Sequence, residues 1–224
     1  MAKKKTVTPH HHIWNLPKKV FPRKKGNKAK DYASAFGQLH EGLTFSNKKV
    51  QESATIAVFH LKAVTKKDGY RTNPAEVLMA IDEFMYHYEN FCYRAYALRE
   101  KFLKFINSVI PIGYPDDMVQ IRHMVLNPVV AQTKLLTEIE KFNEKKALGK
   151  IIKDRKLLTH QLYYTDVDSH LRPKHDPKQP FPQWVKNWRR EVETRAQRVE
   201  RAMSDVVGIN HNASAKVLAY KAKH

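Results

Sequence analysis

One apolar stripe constrains this chain more than any other feature. Val77, Ile81, Phe84, Tyr88, Phe91, Ala95, Leu98, Phe102, Phe105 and Val109 follow one another at alternating steps of four and three residues. That period places all ten side chains on one face of a single long helix, and it is the spacing of a helix packed in a bundle. Asn73 followed by Pro74 supplies the start, and Pro111 and Gly113 the stop. Asp82, His87, Asn90, Arg94, Glu100 and Lys104 fall on the solvated side. Glu89 and Arg99 fall on the flank of the stripe, where a charge is half buried, and each is a candidate partner for a site group.

The rest of the chain reads as helix too, so the fold class is all-α: an antiparallel helical bundle with a basic arm and extra terminal helices. Residues 1–30 hold ten lysines and arginines, three prolines and no acid. Such a segment cannot bury a core, and it reads as a flexible, disordered arm ahead of a single helical-bundle domain at 31–224. Trp14 and Phe21 in the arm can stack on bases or anchor it to the body, and anchoring is the simpler reading. The bundle is expected to run as a short helix at 31–43 and a second one capped by Ser46 and ended near Gly69. After the long helix come one capped by Asp116 or Asp117, a break at Asn127-Pro128 and a helix over 129–143. A turn at 144–146, a helix over 150–164, a proline-rich loop and a last helix over 183–207 closed by Gly208 complete it, with a short helix or frayed tail beyond.

Lys plus Arg exceed Asp plus Glu by 41 − 22 = 19, which favours a polyanionic partner. Candidate phosphate contacts are Lys24 and Lys25 in the arm and Arg189 and Arg190 on the basic flank of the last helix. A single cysteine, Cys92, excludes an internal disulfide and suits a reducing cytoplasm. No run of 18 apolar residues is present and the N-terminus lacks an apolar signal region, so no membrane association is expected. There is no Walker A lysine, no HExxH and no serine nucleophile elbow. The His10, His11, His12 triplet and the Asp166, Asp168, His170, His175 and Asp176 loop read as ordinary polar segments, so neither metal nor cofactor is expected.

Chemistry concentrates in residues 150–164, KIIKDRKLLTHQLYY. Leu148, Ile151, Ile152, Leu158 and Leu162 recur at helical spacing and Arg155 falls within their stripe, so its guanidinium needs a carboxylate, a phosphate or a wet interface. His160, five residues on, lies about 140° around the helix from Arg155. Lys156, Tyr163 and Tyr164 share the His160 face, and the neighbouring ammonium favours the neutral imidazole that a general base requires.

An arginine, four residues and a histidine on a helix resembles the Arg-x4-6-His motif of the HEPN superfamily, over about residues 75–165. The resemblance implies an all-helical domain of nucleic-acid defence or toxin systems, acting on RNA or another nucleic acid, as a homodimer and with a cognate antitoxin as a further partner. It implies a metal-independent endoribonuclease in which the 2′-hydroxyl attacks the phosphate, His160 is the acid/base and Arg155 stabilises the phosphoryl charge, with Lys156, Tyr163, Tyr164 and Glu89 as auxiliaries. Two readings remain beside it. One is a non-catalytic helical module that binds nucleic acid or nucleotide. The other is a helical scaffold in which Arg155 pairs with Glu89 or Glu138.

Overall fold

The computed structural model describes residues 12–16, 28–65, 74–161 and 181–223, and among these every regular element is helical. A 3-10 turn at Ile13–Asn15 precedes seven α-helices: α1 Lys28–Thr65, α2 Pro74–Val109, α3 Ile121–Leu126, α4 Pro128–Gln132, α5 Leu136–Glu140, α6 Ala147–Gln161 and α7 Phe181–Lys221. No helix among the described residues is long and apolar enough to cross a membrane. The chain divides into two compact units, the first of Met1–Gln38, Glu100–Glu140 and Val207–His224, the second of Leu39–Arg99 and Lys141–Val206.

All ten residues of the long stripe are buried in α2, from Val77 to Val109. In α1, by contrast, the expected pair of helices is one. Phe36, Leu43, Val50 and Ala57 are fully buried at a seven-residue interval, with Ala54 and Leu61 beside them, so the apolar face runs straight through the proposed cap. Ser46 is itself buried within the helix. A serine can cap only where the chain leaves helical geometry, and here a continuous apolar face outweighs the local signal. Gly69 and the loop over 166–176 lie outside the described residues.

In unit 1, Phe36 of α1 meets Phe102 of α2 with ring centroids 6.1 Å apart. Ile13 and Leu16, in the segment read as an arm, are buried here. The Ile13 amide donates to Asn210 Oδ1 at 2.9 Å, His12 stacks on Trp14, and Trp14 lies close over Gly37, where a side chain would crowd its ring. Trp14 therefore anchors this part of the segment. Phe21 lies outside the described residues.

Asp116 does not cap α3, which starts after Gln120. Its carboxylate instead accepts the Tyr32 hydroxyl at 2.6 Å and the Lys28 ammonium at 3.2 Å. The Tyr32 bond and the lysine hold the Asp116 carboxyl below its usual range, and the same bond pushes the Tyr32 phenol up to about 12. Asn127 does break the chain, its Oδ1 accepting from the amides of Val129 and Val130 ahead of Pro128. The single helix expected over 129–143 is two, because Lys134 adopts a left-handed φ of 58° between α4 and α5. The buried Glu138 on α5 is paired with Lys216 of α7 at 2.7 Å.

In unit 2, α1 and α2 run antiparallel: Gly42 faces Arg94, and His60 lies 4.0 Å from Glu76 near the other ends. Helix α7 lies against α1, with Gln51 Nε2 donating to the Ala196 carbonyl at 3.1 Å. Gly208 does not close α7, which continues to Lys221 with Ile209, Ala213 and Val217 buried in unit 1. One glycine costs a helix about 1 kcal/mol, less than burial of the apolar turns that follow it contributes.

Candidate functional site

Helix α6 is set in unit 2 by Leu148, Ile151 and Ile152, all buried, and by a close crossing at Gly149, where a Cβ would run into the Asn143 carbonyl. Only glycine admits the turn at that point. Lys153 Nζ pairs with Glu144 Oε2 at 3.2 Å across the same corner.

The next two residues diverge. Asp154 turns inward: it accepts the hydroxyl of Tyr88 from α2 and, at 2.9 Å, Nη1 of Arg198 from α7. Three helices thus meet at one carboxylate. Burial pushes the Tyr88 phenol well up, and the Asp154 carboxylate adds to it, so the hydroxyl stays a donor. Burial alone would lower the Arg198 guanidinium, but Tyr88, Asp154 and Glu191 more than offset it and hold it charged. Next to this centre Arg195 is buried, its Nε donating to Glu191 Oε1 at 2.6 Å and its guanidinium lying 5.0 Å from the Tyr88 ring centroid. The Cys92 thiol, fully buried alongside, is raised by burial and then by Asp154, so it stays protonated.

Arg155 is half-buried and lies over α2 rather than inside it. Its guanidinium carbon sits 3.9 Å from the Tyr96 ring centroid and 5.8 Å from that of Tyr93. Arg99, the flank residue, stands 4.4 Å from the same Tyr96 ring. Two guanidiniums therefore gather on one phenol, a cationic and aromatic surface suited to a phosphate or a base. Glu89 is half-buried on α2.

The backbone of α6 continues unbroken through His160 to Gln161, which keeps Arg155 and His160 about 140° apart around one helix axis. The side chains of Lys156 and His160 lie outside the described residues, as do Tyr163, Tyr164, Lys24 and Lys25. Arg189 and Arg190 are exposed, and Arg189 Nε meets Glu193 Oε1 at 3.1 Å. Arg195 and Arg198, further along the same helix, do not extend that basic flank, because they point at Glu191 and Asp154. Stepping through α7 by threes and fours from Trp188 and Val192 reaches Arg195 and Val199, so the stripe itself held the signal for Arg195. Asp154 and Tyr88 had no such marker: one stood beside a motif residue and the other read as plain core. Among the described residues no cluster of three or more His, Cys, Asp or Glu is arranged to hold a metal.

The family model for Cthe2314-like HEPN proteins matches residues 29–214. The chain belongs to this HEPN family. No curated protein matches it, and no solved structure does.

Proposed function

We propose that this HEPN chain is a metal-independent endoribonuclease that works as a homodimer, with Arg155 and His160 as its catalytic pair. The observation that carries the proposal is the seat of Arg155: a half-buried arginine stacked on Tyr96 with its Nε covered, on a helix fixed by the adjacent Asp154. An arginine held in place by stacking yet not sunk in the core suits an incoming phosphate. In RNA the substrate brings its own nucleophile. His160 takes the proton of the 2′-hydroxyl as that oxygen bonds to phosphorus, the bond from phosphorus to the 5′-oxygen breaks, and His160, as the acid/base, returns a proton to that oxygen as it leaves. Arg155 stabilises the charge on the non-bridging oxygens. The products are a 2′,3′-cyclic phosphate and a 5′-hydroxyl.

Divergence of the two residues around α6 supports the dimer. A two-fold axis beside this helix would let Arg155 of one chain and His160 of the other face one groove, which a single chain cannot achieve. Lys156 and Tyr163 would then line that groove. The test is incubation of the protein with labelled single-stranded RNA in EDTA. Cleavage to cyclic-phosphate ends is expected, and Arg155→Ala and His160→Ala should each lose it. Intact RNA with the parent chain, or undiminished cleavage by either variant, would reject the proposal.

A further inference from the structure

The α1–α7 face of unit 2 carries a second feature of a nucleic-acid protein, away from Arg155. Two adjoining depressions, of about 440 and 420 Å³, lie along it and share Glu193 in their linings. Each falls within the range of about 300–1,000 Å³ typical of ligand clefts. The first is lined by Phe59 and Lys62 of α1, and the second by Lys186, Arg189 and Arg190 of α7. The two linings together hold four cations and one carboxylate, Glu193, which Arg189 engages. Phe59 is 66% exposed, a large apolar ring left in water beside those charges. From Pro182 to Gln197 the α7 wall runs about 22 Å, long enough for several nucleotides.

We infer that this groove is a binding track for single-stranded RNA, in which Phe59 stacks on a base and Lys62, Lys186, Arg189 and Arg190 contact the phosphates. The choice of RNA as the polyanion rests on the proposed function, whereas the cationic and aromatic make-up of the groove does not. A single strand fits better than a duplex, because an exposed phenyl ring has a use only where bases are unstacked and accessible. The track is also separate from the catalytic candidates. On α7 the residues that meet α2 and α6 are Arg195 and Arg198, whereas Arg189 lies about 180° around the helix from Arg198. RNA held here would be retained by the protein whether or not it is cut.

The test is a fluorescence-anisotropy titration of a labelled single-stranded RNA 20-mer in EDTA, with the full chain carrying Arg155→Ala so that the RNA survives. Added to it are Phe59→Ala or the pair Lys186→Glu and Arg190→Glu. Circular dichroism and melting temperature confirm that each variant is folded. Since the basic segment before α1 is common to all, differences report the groove. Phe59→Ala is expected to weaken binding by roughly five- to a hundredfold, the usual worth of one stacked base. The charge pair should lower affinity at least as much and flatten the salt dependence by about two phosphate contacts. Unchanged affinity in folded variants would overturn the inference. So would equal sensitivity of duplex RNA to Phe59→Ala, or displacement of the RNA by polyglutamate at comparable charge, which would mark an acidic-protein site. If the parent chain fails to cleave RNA but these variants still lose binding, the nuclease reading falls and the track stands.

Discussion

Asp154 and Arg155 are adjacent in sequence and have opposite surroundings. The Asp154 carboxylate, only 15% exposed, satisfies a buried phenol and a guanidinium that is itself 26% exposed. Replacing it with alanine leaves a buried phenol unsatisfied and a partly buried guanidinium unpaired. Breaking a fully buried pair costs about 3–5 kcal/mol, and partial exposure of Arg198 places this one at or below the lower end of that range. Tyr88→Phe removes one donor and leaves the ion pair, so it should cost less, about 1.5–3 kcal/mol for a bond to a charged acceptor. Urea denaturation of the two variants checks this, with the midpoint falling further for Asp154→Ala. Equal midpoints would mean that the ion pair with Arg198 contributes little. Sequence reasoning reached Arg155 because a charge inside an apolar stripe is conspicuous. It missed Asp154 because an acid beside a basic residue on a helix is ordinary, and only packing from α2 and α7 makes it central.

Among the elements, α2 was legible in full. Its stripe has no competing signal, and all ten of its residues are buried. Helices α1 and α7 were read too short for one shared reason: Ser46 and Gly208 are local stop or start signals, but the apolar faces on either side of them are in register and bury continuously. The opposite error occurred at 129–143, where the left-handed Lys134 splits a span whose periodicity looked helical throughout. Nothing in a lysine announces that conformation. Helix α6 depends on an element-scale contact at Gly149 that its sequence did not advertise. Gly149→Ala forces its Cβ against the Asn143 carbonyl, a backbone atom that cannot swing aside. The variant is expected to lose about 1–3 kcal/mol by overpacking and, because α6 carries both catalytic candidates, to lose activity out of proportion to stability. A thermal melt paired with an RNA cleavage assay separates the two effects. Unchanged melting and activity would show that the turn yields freely.

For the whole molecule, the all-helical class, the bundle and the HEPN family were within reach of sequence, since periodicity and one spaced pair of residues carry them. The division into two compact units was not, because the boundaries fall inside α1, α2 and α7, where the apolar stripes pass without interruption. The proposed two-fold site is a property of an assembly, which the family resemblance implies and no single segment can supply. Its most direct measurement mixes two inactive chains, Arg155→Ala and His160→Ala, after unfolding and joint refolding, and follows RNA cleavage in EDTA. Random pairing makes about half of the dimers mixed, and each mixed dimer holds one groove with both an intact Arg155 and an intact His160. Cleavage should therefore return to about a quarter of the parental rate per chain. A mixture as silent as its two components, beside an active refolded parent, would contradict an active site shared between chains.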